Sequence, residues 1–306
     1  MRNAHLPADA PLPMRDGVAP SRVYLPPGPW AGVFEFLVER FRFMAADVLR
    51  ARLDNGDIVD EDGVPQRVDS PYRPHRWLWY YRIVPNEPPV PFELKILHQD
   101  ERLIAVDKPH FLASLPGGRH LRETALTRLR DCLAQPRLTP IHRLDRDTAG
   151  VMLFCCDPAA RGAYQRLFQS RDVAKHYEAI AAWRQDLELP RLHQSRLEPS
   201  EAYFTMHEVQ GEPNSQTRIE LVEQCGPWAR YRLLPITGRK HQLRVHMNAL
   251  GIPIRNDRLY PHRRSPQHED DYSRPLQLLA RSVSFIDPFT KTERRFESER
   301  NLQVLA

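Results

Sequence analysis

Pro140-Ile141-His142-Arg143-Leu144-Asp145-Arg146-Asp147-Thr148-Ala149-Gly150 runs directly into Val151-Met152-Leu153-Phe154, and this stretch decides how the chain is read. The apolar run reads as a buried strand. Ahead of it Asp145 stands between arginines. A carboxylate held against a core strand by guanidinium groups is expected to be fixed and anionic at neutral pH. It can serve as nucleophile or as electrostatic stabiliser. An Asp beside Arg is more often a structural ion pair, so other clusters must decide the matter.

Downstream, Asp157-Pro158 reads as a helix start with Asp157 as N-cap, and Ala160, Ala163, Tyr164, Leu167 and Phe168 form an inward face. Strands are expected over 177–182, 217–222 and 229–234. Upstream, 94–97 and 103–106 read as two strands, and 121–133 as a helix. Strands and helices mix without a regular βαβ rhythm, so the expected class is α+β.

The N-terminal part divides differently. Residues 1–28 are proline-rich and aperiodic, and read as flexible. Within 29–84, helices fit 30–43 and 45–53, a hairpin fits 58–68 and a strand fits 77–84. This small module resembles the α-L RNA-binding domain of a ribosomal small-subunit protein; a packing extension of the main domain is the alternative. Residues 85–91 form a stiff proline-rich linker, and 92–306 a larger domain.

Composition is that of a globular protein, and no apolar run is long enough for a membrane span. No signal-peptide apolar region precedes residue 29, so the expected compartment is the cytoplasm. Cys132, Cys155, Cys156 and Cys225 show no C-x-x-C pairing and read as reduced thiols. The net charge is +5. From Trp228 to Arg264, however, nine Lys/Arg face a single acid, Asp257. That concentration points to a polyanion partner, with a solvated basic face as the alternative.

Two further clusters complete the pattern. One is Lys175-His176-Tyr177-Glu178-Ala179, at the start of a strand. The other is Thr237-Gly238-Arg239-Lys240-His241-Gln242-Leu243-Arg244-Val245-His246, a strand end turning into a helix that should stop near Gly251. Together with the Asp145 loop these resemble the motifs of the RluA-type family of pseudouridine synthases. Ala149 stands where that family has serine, and Asn256 where it has the glycine of a Gly-Asp pair. Leu250-Gly251-Ile252-Pro253, Leu278-Leu279-Ala280-Arg281 and Phe285-Ile286-Asp287-Pro288 extend the resemblance to the end of the chain.

The resemblance implies a mixed, mainly antiparallel sheet and a cofactor-free isomerisation of uridine to pseudouridine in structured RNA, ribosomal or transfer. Asp145 would be the essential carboxylate, by attack at C1′, attack on the base or abstraction of the C2′ proton. Arg244 would pair with it, and Tyr177 would stack on the base. The target base must leave its helix to reach Asp145. Arg143 would fill the gap, His142 and Thr148 would hold the loop for RNA, and Lys175, Arg239, Lys240 and His241 would lie toward the nucleic acid. No metal is expected: His241 and His246, five apart, point to different sides of a helix. A monomer is expected. The rival readings are a catalytically silent RNA-binding or ribosome-assembly protein on the same fold, and a glycoside-cleaving enzyme with paired carboxylates.

Overall fold

The computed structural model describes residues 10–83, 87–201, 204–262 and 270–303. The chain divides into two compact units. The first runs to Pro88 and includes Leu115–Arg122 and Thr127–Arg137; the second holds Pro89–Ser114, Glu123–Leu126 and everything from Leu138. The sequence placed all of 92–306 in one domain. The two inserted segments group with the first unit because they make contacts there. Arg122 pairs with Asp16 at 2.7 Å, and Glu87 accepts the Leu121 and Arg122 N–H groups at 2.8 Å.

In the first unit, β1 (Ser21–Tyr24), α1 (Val33–Arg40), α2 (Ala46–Asp54), β2 (Ile58–Val59) and β3 (Trp77–Tyr80) form two helices and a three-stranded sheet in the order β1-β3-β2. Two expectations are corrected. Residues 21–24, read as flexible, are a strand: Ser21-Arg22-Val23-Tyr24 pairs antiparallel with Trp77–Tyr80, burying Val23. The hairpin over 58–68 is shortened: Val59 bridges Pro65, the Gln66 N–H bonds the Ile58 carbonyl at 2.8 Å and the Asp60 N–H the Val64 carbonyl at 3.0 Å, while Ile58–Val59 also pairs with β3. Pro65 supplies no N–H to a ladder. Residues 1–9 and 84–86 lie outside the described part. Val33, Phe36, Leu37, Leu49 and Leu53 make the core of this unit with Leu25, Ile58 and Leu78.

The second unit is built on one large sheet. Its strands are β4 (Lys95–Gln99), β5 (Leu103–Lys108), β6 (Thr139–Pro140), β7 (Ala149–Cys155), β8 (Ala174–Ala182), β9 (Arg191–Pro199), β10 (Met206–Val209), β11 (Ser215–Cys225), β12 (Trp228–Pro235), β13 (Leu278–Ile286) and β14 (Glu293–Glu297). The path is β10-β9-β11-β12-β8-β13-β7-β5-β4, with β14 on β13 and β6 on β7. Every pair is antiparallel except β13 with β7. The unit's helices are α4 (Arg161–Ser170) and α5 (Gln242–Ala249); α3 (Ala125–Cys132) starts here, but its residues from Thr127 on belong to the first unit. The class is α+β, mixed and mainly antiparallel. β5 and β7 are buried along their whole length, as their unbroken apolar runs require. α4 begins three residues later than expected. The Asp157 carboxylate accepts the Ala159 N–H at 2.9 Å inside a preceding turn, and Ala160 is the N-cap.

The junction of β8, β13 and β7 positions the site. Tyr177 sits opposite Ala280, and Ala280 opposite Gly150. The strands close up here because Gly150 has φ +111°, and a Cβ on it would lie 2.2 Å from the Ala280 carbonyl oxygen. The segment 141–148 therefore enters the sheet beside Tyr177.

Candidate active site

The loop carrying Asp145 is held residue by residue. Leu144 exchanges hydrogen bonds with the buried Ser114 hydroxyl, which donates to its carbonyl at 2.6 Å and accepts its N–H at 3.1 Å. The Asp145 carbonyl accepts the Thr148 N–H at 3.2 Å, and Thr148 is buried. His110 Nδ1 bonds the Asp147 carbonyl at 2.7 Å, so that nitrogen carries the proton. Lys108 is fully buried; its Nζ donates to the carbonyls of Pro109, Leu112 and Arg146 at 2.9, 2.8 and 3.1 Å. Burial pulls its pKa down to about 7, opposed by Asp147 and Asp145. Three carbonyl acceptors take three hydrogens, a number that only the ammonium form supplies. Lys108 and His110 were not singled out from the sequence, where Asp107-Lys108-Pro109 reads only as a strand end.

Asp145 presents its carboxylate at the mouth of this loop, 24% exposed. Arg244 Nη1 lies 3.5 Å from Oδ2, and His241 Nε2 3.8 Å from the same oxygen. Burial brings the His241 pKa to about 4 against the pull of Asp145, so the ring is neutral at pH 7. The Tyr260 hydroxyl accepts the Met206 N–H at 2.8 Å and can donate its own hydrogen to His241 Nδ1, 3.0 Å away. The Asp145 carboxylate 3.8 Å from Nε2 favours the tautomer with its proton there, facing Asp145.

Arg244 is not primarily the partner of Asp145. Its Nε and Nη2 bind the two oxygens of the fully buried Asp257, both at 2.7 Å. The expected Arg244–Asp145 pairing is present but shared: Asp257 takes the planar fork, and the remaining Nη1 is turned toward Asp145. Burial opposes the Arg244 charge, but the Asp257 bonds outweigh it and hold the guanidinium protonated. Asp257 also accepts the Leu259 and Tyr260 N–H groups at 2.8 and 3.1 Å.

α5 is buried on all sides, polar residues included. Gln242 donates to the Gln216 carbonyl and the Thr217 hydroxyl at 2.9 Å and accepts from the Thr237 hydroxyl at 2.7 Å. Thr217 Oγ1 in turn contacts His246 Nδ1 at 2.9 Å, while His246 Nε2 meets Ser215 Oγ at 2.9 Å. The Ser215 hydrogen goes to the Ser195 carbonyl at 2.7 Å, so Nε2 is the donor in this chain. His193, Glu208 and His246 bring ligand atoms within 4.8 Å of one another, the spacing of a metal group. Both nitrogens of His246 are committed to hydroxyls, however, and His193 already bonds Glu208 at 2.7 Å, so the group is complete as a hydrogen-bonded cluster.

The remaining sequence candidates fall into two sets. Tyr177 lies in β8 with its phenol pKa raised, first by burial and then by Asp145, so the hydroxyl keeps its proton. Lys175 points toward the Thr237 carbonyl at 3.5 Å, its pKa lowered by burial and by Arg171. Arg143, Arg239 and Lys240 are exposed, and the Lys240 pKa is lowered by burial and by Arg143 against the pull of Asp145, which places Lys240 near both Arg143 and Asp145. Arg239 Nε donates to the Asn214 carbonyl at 3.1 Å. His142 is turned away: it stacks on Phe168 at 4.6 Å and accepts the Leu153 N–H at 3.1 Å. It braces the loop, and burial, with Lys175, takes its pKa to about 3.

The basic stretch 228–264 changes character in three dimensions. Arg230 meets Glu178 and Glu223, Arg232 meets Glu220, Arg244 meets Asp257 and Arg258 meets Asp270. Glu178, Glu220, Glu223 and Asp270 from outside the stretch, with its own Asp257, thus neutralise several of its charges. Arg263 and Arg264 lie outside the described residues.

A family model described as RNA pseudouridylate synthase matches residues 102–249. An RNA pseudouridine synthase of Synechocystis sp., itself called uncharacterized, is 31% identical over 235 residues, covering 74% of this chain and 79% of its own. The dual-specificity RNA pseudouridine synthase RluA of Pasteurella multocida is 31% identical over 225 residues, 68% of this chain and 94% of its own. RluA of Escherichia coli K12 is 39% identical over 186 residues, 57% and 80% of the two chains. Among solved structures, human RNA pseudouridylate synthase domain containing 4 superposes with a TM-score of 0.53 at 26% identity, over 69% of this chain and 89% of that one. No described helix is long and apolar enough to cross a membrane. The chain belongs to the RluA-type family of RNA pseudouridine synthases, isomerases that convert uridine in RNA to pseudouridine.

Proposed function

We propose that Asp145 is the essential carboxylate of a cofactor-free uridine isomerisation on structured RNA, ribosomal or transfer, carried out by a monomer in the cytoplasm. The observation that carries this reading is the placement of one partly exposed carboxylate oxygen 3.5 Å from a guanidinium that a second, buried carboxylate holds rigid. The Arg244 charge steadies Asp145 without neutralising it, and the neutral His241 Nε2–H faces the same oxygen. Attack at C1′, attack on the base and C2′ deprotonation all draw on such an anion.

Tyr177 supplies a ring on which the flipped base stacks and a hydroxyl that stays protonated. Arg143, exposed two residues before Asp145, is placed to enter the vacated stack, while Arg239, Lys240 and Lys175 reach phosphates. The N-terminal unit, with exposed Arg40, Arg42 and Arg50, adds RNA contacts.

The test is release of tritium from RNA labelled at C5 of uridine, which isomerisation must expel. Wild type should release it, and Asp145→Asn should not, with RNA affinity kept within about tenfold. Turnover by Asp145→Asn at the wild-type rate would refute the role. Tight RNA binding by wild type with no tritium release would instead favour a silent RNA-binding protein.

A further inference from the structure

We propose that Asp270 is a positioning residue for the catalytic loop, a clasp that sets where Asp145 stands relative to Arg244; the inference rests on the isomerase reading above. Two pairs of consecutive residues meet at this carboxylate. In the first pair Asp145 faces the groove, and the next residue, Arg146, turns its fork onto Asp270, Nη1 to Oδ2 and Nη2 to Oδ1, both at 2.8 Å. In the second pair Asp257 grips Arg244, and the next residue, Arg258, reaches Asp270 Oδ1 at 2.9 Å. Each pair sends one member to the site and the other to Asp270. The carboxylate thus ties together the two backbone segments whose separation fixes the Asp145–Arg244 distance.

Asp147 completes the group. Its Oδ1 lies 3.0 Å from Arg146 Nη2 and 3.9 Å from Arg258 Nη2. That oxygen is buried with no well-directed hydrogen bond, so its charge is compensated by Arg146, Arg244 and Arg258. Two cations and two anions alternate, all largely screened from water, and such a group holds only when every member is present. Arg146 is held at both ends, its carbonyl on Lys108 at 3.1 Å and its guanidinium on Asp270. Freeing it from Asp270 leaves Arg146 held only by its backbone carbonyl on Lys108 and by the neighbouring Asp147 at 3.0 Å, which lies on the same loop and reaches Arg258 only at 3.9 Å. Asp270 touches neither Asp145 nor Arg244 in any of these contacts, so its influence on the reaction is indirect. The loop sequence shows only Arg146 and Asp147; their partner stands 124 residues away in the chain.

The experiment uses the full chain, tritium release from C5-labelled RNA, a separate RNA-affinity measurement and thermal melting. The variants are Asp270→Asn, which keeps the volume and removes the charge, Arg146→Ala, and the two combined. The clasp predicts that Asp270→Asn lowers kcat on the order of a hundredfold at saturating RNA. KM and RNA affinity should stay within about threefold. The double variant should be no slower than the slower single one, because both remove the same contact. A lowered melting temperature with wild-type kcat overturns the proposal and leaves Asp270 a purely structural residue. Unchanged kcat with tighter RNA binding overturns it too, and makes the Arg146–Arg258 pair a phosphate seat that Asp270 caps. If wild type itself releases no tritium, the isomerase reading fails and the clasp fails with it; normal wild-type release with normal Asp270→Asn turnover brings down the clasp alone.

Discussion

Asp257 is the residue on which the geometry of the site turns. It is fully buried, takes the two best-directed nitrogens of Arg244 and leaves the third for Asp145. Removing it strands a buried guanidinium, which costs roughly 3–5 kcal/mol. Asp257→Ala should therefore lower stability by about that amount in urea titration and slow tritium release. A variant with wild-type melting and turnover would show that Arg244 needs no anchor. The sequence exposed Asp145, Tyr177 and Arg244 because each sits in a dense local motif. Asn256-Asp257 shows in the sequence only as the counterpart of a Gly-Asp pair, which does not assign Asp257 its grip on Arg244. Tyr260 and Lys108 were passed over because their roles are contacts with residues far away in the chain.

α5 shows how an element carries chemistry into a core. An ordinary surface helix has one apolar stripe. Here Leu243 and Met247 join the apolar cluster of the sheet, and Val245 packs with Leu197, Met206 and Tyr260. Gln242, Arg244 and His246 are buried as well, each with a specific polar partner. Burial has a pH consequence. His110 and His241 are lowered to about 4, and His142 and His246 to about 3, whereas the unfolded chain titrates near 6.5. As pH falls below about 6.5 the unfolded chain takes up protons that the fold refuses. The contribution of these rings is complete above that pH and is lost progressively toward pH 4 and below. The urea midpoint should fall steadily between pH 7 and 4.5, before most carboxylates titrate; a flat midpoint across that window would count against the neutral rings. Helix ends and strands were legible where apolar periodicity was strong, as in β5, β7 and β12. β9 was missed because Arg191–Pro199 is rich in polar residues, which gave no apolar run to read, and β10 because Met206–Val209 is only four residues long with two polar ones between its apolar ends.

For the whole molecule the question is how a modest net positive charge becomes an RNA surface. Linear charge density overstates it, since Glu178, Glu220, Glu223 and Asp270 come from outside 228–264 to meet its arginines, beside the stretch's own Asp257. Sequence-independent affinity then depends on the exposed cations. Replacing Arg40, Arg42 and Arg50 together with alanine should weaken RNA binding and flatten its salt dependence, with kcat at saturating RNA unchanged. Unaltered affinity would return the N-terminal unit to a packing role. By itself the sequence determined the α+β class, the strand leading out of the Asp145 loop, the helix ending before Gly251 and the three motif clusters. These are written in short-range patterns of apolar spacing, turn residues and local charge. Only the tertiary structure decided which carboxylate holds Arg244, that a buried lysine fastens the loop, and that Asp145-Arg146 and Asp257-Arg258 converge on Asp270. Those pairings join residues far apart in the chain, and their strength comes from burial and fork geometry, which exist only once the sheet has closed.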